Sequence, residues 1–291
     1  MVGMTKKNTF FWLGVFLLPN LLGFLIFIGV PIVSSLVISF TDWDLLGSME
    51  FTGIDNYIRL ANDPEFWISF RNTFFFIFGY LPLVMIFGLG CALLLNKKIR
   101  FRAFFRATYF LPVITSWVAV SLVWKWLYNP KFGLINYMLS VIGIDGPQWL
   151  NDPDTAMIGI IITSAWKDIG FVMVLFLGGL QNISPSYYEA AAMDGASKFR
   201  EFWSITLPLL APTTFFVTII SLINSFQVFD QVMIMTGGGP GGSTVVMVQN
   251  IYNHAFRYYE MGYASAMSWV LFIVIFIFTY IQMKVQDKGA N

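Results

Sequence analysis

Trp166-Lys167-Asp168 stands in the middle of one long apolar run, and Asn224, Ser225, Gln227 and Asp230 stand in another. An apolar helix has no need of such residues, and charges at membrane depth are costly enough to mark a pathway by default. Proteins hold sugars with aromatic faces against C–H surfaces and with planar amides and carboxylates for the hydroxyl groups. Trp166, Lys167, Asp168, Asn224, Ser225 and Gln227 supply that set. The plainer alternative is that Lys167 and Asp168 satisfy each other or neighbouring backbone and only hold spans together.

A second concentration of polar residues is residues 187–212, YYEAAAMDGASKFREFWSITLPLLAP. Ser184-Pro185 is a helix start, a Ser cap followed by a Pro whose missing N–H costs nothing at the first position. Tyr187 to Met193 form two turns, and Gly195 takes the left-handed conformation that ends them. A second short helix places Phe199, Phe202 and Trp203 on one face, with Lys198, Arg200 and Glu201 elsewhere. Pro208 and Pro212 then re-aim the chain. Ala190, Ala191 and Ala192 lack bulk, so another surface can approach closely, and Glu189 beside them offers a charge-assisted contact to an Arg. The alternative is an amphipathic hairpin lying at the membrane interface that merely connects two spans.

An intramembrane enzyme would need a Ser–His pair, paired aspartates or a His-metal set, and the sequence argues against it. His254 is the one histidine and reads as an ordinary loop residue, no His-rich metal site is available, and Asp168 and Asp230 are far apart in the chain. Cys91 is the one cysteine, which rules out an intrachain disulfide and a thiolate cluster. Residues 237–244, GGGPGGST, have the look of a phosphate loop but no Lys precedes Ser243-Thr244, and they read as a flexible loop. No catalytic residue and no metal ligand is expected.

The elements that must position these residues follow from composition. The 291 residues are 57% hydrophobic and 11% charged, with a mean hydropathy of +0.70, too apolar to cover a soluble core. Aromatics make up 18%, ten of them Trp, which favour membrane interfaces. No basic patch points to nucleic acid. Six segments of about 20 mainly apolar residues meet the length needed to cross a bilayer: roughly 11–39, 71–95, 106–128, 156–181, 209–235 and 262–284. The first is too long for a signal-peptide core and reads as a retained span. The expected fold is an all-α polytopic membrane protein of six transmembrane helices, a single domain over 1–291. Trp117, Trp124, Lys125 and Trp126 suit an outer aromatic belt with a snorkelling Lys, the alternative for Trp117 being a place lining the path. Phe75, Phe76 and Phe78 read as lipid-facing or packing residues.

Charge orients the spans. Lys6, Lys7, Lys97, Lys98, Arg100, Arg102, Arg106, Lys198, Arg200, Lys284 and Lys288, eleven of the seventeen basic residues, share one side if six spans alternate. Ten of the sixteen acids, Asp42 and Glu260 among them, fall on the other. Positive-inside bias puts both termini, and the 184–208 segment, in the cytoplasm.

Glu189-Ala190-Ala191, Asp194-Gly195-Ala196, Ile205 and Leu207-Pro208 together resemble the EAA loop of binding-protein-dependent ABC importer permeases. Span count, termini and the loop's place before the fifth span fit the same family over the whole chain. The resemblance implies the type I ABC importer permease architecture. It also implies that Glu189, Ala190, Ala191, Asp194, Gly195 and Ala196 belong to a coupling helix docked in a cytoplasmic ATPase dimer, where ATP is bound and hydrolysed. This chain would hold no cofactor and would not be an enzyme. The further partners implied are a second homologous permease, an extracytoplasmic binding protein, membrane lipid and a carbohydrate cargo, in a bacterial cell membrane.

Phe40-Thr41-Asp42-Trp43, Phe51-Thr52-Gly53, Asn56-Tyr57 and Thr236 to Pro240 resemble the carbohydrate permeases of the maltose type. The chain lacks that permease's extra N-terminal spans and large insertion, and a binding protein tethered as a lipoprotein would compensate. By spacing from Glu189 and Pro240, residues 166–168 and Phe171, with Ser221, Asn224 and Ser225, match the sugar-contact regions of that permease, though most side chains differ. Two alternatives stay open: a glycerol phosphate or polyol permease of the same family, and an ion-coupled secondary transporter using Asp168 and Asp230.

Overall fold

The computed structural model describes residues 6–97 and 99–289, with side chains for 12–97 and 99–285. Lys98 lies outside the described residues, as do the side chains of Lys6, Lys7 and Lys288. The described residues are mostly helical, and the chain divides into two compact units, residues 64–250 with 273–291 and residues 1–63 with 251–272.

The larger unit is built on α4 (Pro64–Asn96) and α8 (Pro153–Gln181), which pack along their lengths. Phe76, Tyr80 and Val84 of α4 bury against Ile160, Val172, Met173 and Phe176 of α8. In lipid such a contact is held by close packing, because leaving water is no longer a driving force. Gly88 makes the approach possible, since a Cβ there would collide with the Val172 side chain. Asp152 caps α8 by accepting from the Asp154 amide, and Pro153 takes the first position.

Two expected spans are not straight. The 106–128 segment is α5 (Arg102–Ile114) and α6 (Trp117–Leu127), which meet at 99°. Thr115 and Ser116 between them are extended, and Ser116 caps α6 by accepting from the Val118 amide. Counting apolar residues gave length but did not see that cap. The 209–235 segment divides into α12 (Ala211–Phe226) and α13 (Asp230–Met235), with Gln227 to Phe229 outside either helix. Neither Gly nor Pro marks that break. Among the described residues, four helices are long and apolar enough to cross a membrane, or six when α5 with α6 and residues 198–209 with α12, the latter pair bent by 65°, each count as one span.

The loop after α13 is stitched rather than slack. Thr244 is buried and its hydroxyl reaches Thr236 Oγ1 and the Gly239 carbonyl, both at 2.8 Å. Asn72 of α4 donates to the Gly242 and Val245 carbonyls at 3.1 and 3.0 Å, and the Met247 amide donates to Thr73 at 3.0 Å. The expectation of a flexible loop gives way to one in which side-chain hydroxyls and an amide add to the turn bonds of the Gly-rich backbone, such as that from the Thr244 amide to the Gly238 carbonyl at 3.2 Å.

The smaller unit holds the first helical run, α1 (Lys6–Phe24) and α2 (Val30–Ile38) joined through a π turn, followed by a two-residue hairpin and α3 (Asp55–Asn62). Its motif residues form a clasp. Asn56 Nδ2 donates to the Ser39 and Thr41 carbonyls, the Thr52 amide to the Phe40 carbonyl, and Tyr57 meets Ser39 Oγ at 2.7 Å. His254 is not a loop residue. It is buried on α14 (Met247–Phe256), with Nδ1 2.6 Å from Glu260. Glu260 also pairs with Arg59 at 2.9 Å, and the guanidinium of Arg59 lies over the Tyr263 ring. Tyr263 opens α15 (Met261–Gly289) and donates to Asp63.

Candidate functional site

The break between α12 and α13 opens an exposed-sided cavity of about 520 Å³. Asn224, Ser225, Gln227 and Asp230 line it from the break, and Tyr80 and Asp168 line it from α4 and α8. A helix end leaves backbone groups without intrahelical partners, so a membrane helix interrupted at depth makes polar backbone available where a cavity can use it. Ser225 Oγ turns back to the Leu222 carbonyl. Among the described residues, the side chains of Asn224, Gln227 and Asp230 make no hydrogen bond to protein, and all three are exposed toward the cavity. Phe76 and Tyr80 are stacked with ring centroids 5.3 Å apart, and with Trp117 and Phe229 they give the cavity aromatic walls.

Lys167 and Asp168 do different work. Consecutive residues on a helix project about 100° apart. Lys167 is buried and donates to the Val113 carbonyl at 3.0 Å, with its ammonium 4.6 Å from the centre of the Trp117 ring. Val113 sits in the last turn of α5, where the 99° bend strands a carbonyl, so the lysine closes that helix end. Asp168 accepts from the Tyr80 hydroxyl at 2.8 Å. Among the described residues, the two charges form no ion pair.

Of the residues expected from sequence, Asp168, Asn224, Ser225 and Gln227 come together. Trp166, 44% exposed, packs edge-on against Trp124 and lines a separate apolar pocket with Leu111 and Val123. Phe171 packs on the core of the larger unit, and Ser221 is buried in α12, neither reaching the cavity. Trp117, expected in an aromatic belt, lines the cavity instead. Tyr80 was missed. Its one signal was a hydroxyl four residues after Phe76 on the same helix face, among residues read as apolar packing.

The 184–208 segment forms a closed hairpin. Ser184 accepts from the Ser186 amide to start α9 (Pro185–Met193). Gly195 at φ +73° ends it, with the Gly195 amide on the Ala192 carbonyl and the Ala196 amide on the Ala191 carbonyl. Paired in this way, the two bonds satisfy carbonyls that would otherwise be orphaned. Ser197 caps α10 (Lys198–Glu201) through the Arg200 amide, a second cap the sequence reading did not use. Glu201 is not on an outer face, for its side chain is 8% exposed and paired with Lys198 at 2.8 Å. The Tyr188 hydroxyl meets Thr206 Oγ1 at 3.1 Å, tying α9 to the turn that follows α10. Outward stand Glu189, Met193 at 84% exposure and Phe199 at 75%. Large apolar side chains left this bare are covered by lipid or by a protein partner.

Residues 85–291 match the family described as binding-protein-dependent transport system inner membrane component. The trehalose/maltose transport system permease protein MalF of Thermococcus litoralis is 38% identical, with 92% of this chain and 91% of that one covered. The lactose transport system permease protein LacF of Rhizobium radiobacter is 37% identical, over 93% of this chain and 92% of that one. A chain in the crystal structure of a bacterial ABC transporter involved in the import of the acidic polysaccharide alginate superposes with a TM-score of 0.84, covering 97% and 96%, at 24% identity. That last likeness is one of fold, the type I fold of ABC importer permeases.

Proposed function

The chain belongs to the binding-protein-dependent transport system inner membrane components, and from that membership we propose its work in detail. It is a multi-pass membrane protein and a transport protein rather than an enzyme. It is a permease subunit of an ATP-binding-cassette importer that moves a sugar or oligosaccharide delivered by an extracytoplasmic binding protein. The observation that carries this reading is the hairpin of residues 184–208, closed by Gly195, pinned by Tyr188 to Thr206 and bare at Glu189 and Met193. A rigid hairpin transmits a push where a slack loop would not.

In this reading six spans place both termini in the cytoplasm of a bacterial cell, and one permease domain runs through 1–291. A cytoplasmic ATPase dimer grips the hairpin through Glu189, Ala190, Ala191, Asp194, Gly195 and Ala196 and binds and hydrolyses the ATP. A second homologous permease completes the path. The cavity at Asp168, Asn224, Ser225 and Gln227 is this subunit's share of that path, and ATP-driven closure alternates its access.

The test is co-purification from the native host in mild detergent, comparing the wild-type chain with Glu189→Lys and Gly195→Pro variants. Recovery of a second permease and an ATPase, with the ATPase lost from both variants, is expected. A lone chain that transports in vesicles without ATP overturns the reading in favour of ion coupling.

A further inference from the structure

The cavity beside the break is acidic. Asp168 and Asp230 line it, and no Lys or Arg does. The cation nearest in sequence, Lys167, does not line the cavity; it is bonded to the Val113 carbonyl with its ammonium 4.6 Å from the centre of the cavity-lining Trp117 ring, where it offsets only part of the acidic charge. Asp168 is held in place by the Tyr80 hydroxyl, so Tyr80 spends its proton on the carboxylate and presents only acceptor capacity to anything else. Asn224 and Gln227 are neutral and offset neither charge.

We propose that this cavity selects cargo by charge, accepting neutral or amine-bearing saccharides and rejecting those that carry a carboxylate, sulfonate or phosphate. The inference rests on the cavity's being the cargo path and narrows the cargo that path admits. Hydroxyl and ammonium donors find carboxylate acceptors on the wall, and such charge-assisted bonds are the strong ones. An anion entering the same space meets two like charges on the wall, offset only in part by Lys167 beyond the Trp117 ring. The selection needs no detailed fit, because Coulomb terms act over the width of the cavity. A metal-ion role for the same acids has less behind it, since the described residues hold no cluster of three or more His, Cys, Asp or Glu.

The field can be read without knowing the cargo. In the assembled complex with Cys91→Ser, a Gln227→Cys reporter is reacted with a cationic and an anionic methanethiosulfonate of similar size. Asn224→Cys serves as a second reporter. Relative to a free thiol, the cationic reagent should react roughly tenfold faster than the anionic one at either position. Adding Asp168→Asn and Asp230→Asn should bring that ratio close to one. Equal rates before those changes, or a ratio that survives them, overturn the proposal.

Cargo is examined separately, as ATPase stimulation of the complex with its binding protein by matched neutral, amine-bearing and uronate oligosaccharides. Stimulation by the neutral or amine-bearing members supports charge selection, and stimulation by the uronate overturns it. If no saccharide of any class stimulates while the thiol reagents still discriminate, the sugar-importer reading falls and the cavity's charge stands.

Discussion

The hydroxyl of Tyr188 lies 3.1 Å from Oγ1 of Thr206, joining the first helix of the hairpin to the turn after the second. The Thr206 side chain is buried, so the contact is a pin inside the hairpin and leaves the outward surface untouched. Tyr188→Phe removes one neutral hydrogen bond, worth about 0.5–1.5 kcal/mol. The expected outcome is a small loss of thermal stability and a several-fold weaker stimulation of ATP hydrolysis by loaded binding protein. Unaltered stimulation in an otherwise intact complex would show that the pin does not carry the push.

Lys167 is predicted to be structural. Lys167→Met strands the Val113 carbonyl at the α5–α6 bend, and an unsatisfied buried acceptor costs about 1–3 kcal/mol. A detergent-solubilised variant should unfold at lower temperature while the charge preference measured at residue 227 is kept. If stability holds and that preference changes, Lys167 faces the cavity after all.

The α4–α8 approach gives a paired test with glycine. A Cβ at Gly88 collides with Val172, whereas a Cβ at Gly178 on α8 meets nothing within 4 Å. Gly88→Leu should cost about 1–3 kcal/mol through overpacking, read as a fall in thermal midpoint. Gly178→Ala should be neutral or stabilising by up to about 1 kcal/mol, from helix propensity alone. Equal responses at the two sites would mean that the packing described for Gly88 is wrong.

Glu260 is expected to matter more than an exposed ion pair should. Its bridge to Arg59 is half-exposed and worth little by itself. Glu260 is also the partner of the buried His254 Nδ1, and Glu260→Ala leaves that nitrogen bare at about 1–3 kcal/mol. Arg59→Ala, which spares His254, should cost less. Thermal unfolding of the two variants side by side decides it, and a larger loss from Arg59→Ala would refute the ranking.

Much was legible in the sequence because the bilayer imposes simple local rules. Apolar length located α4, α8 and α15, and cap and turn chemistry located the hairpin to within a residue or two: Ser184-Pro185 at its start, Gly195 at its corner, Pro208 and Pro212 at its end. The hairpin could be read because its bonds are made by near neighbours in the chain. Asp168, Asn224, Ser225 and Gln227 were found because polar residues in an apolar run stand out whatever their partners.

Contacts between distant segments were decided by tertiary structure. A helix rotates each residue about 100° from the last, so Trp166, Lys167 and Asp168 point to three different neighbours: an apolar pocket, the stranded end of α5 and the acidic cavity. Which neighbour each meets depends on the 99° bend at Ser116 and on the break after Phe226, and neither is marked by a strong breaker residue at the break itself. Tyr80 and Trp117 looked like packing and belt residues until α4 and α6 were set beside α8. His254 looked like a loop residue until Glu260 was folded against it. Composition and local propensity determined that the chain is a helical membrane protein with a charged handle, and the packing of α4, α6, α8 and α12 decided which of its polar residues face the same space.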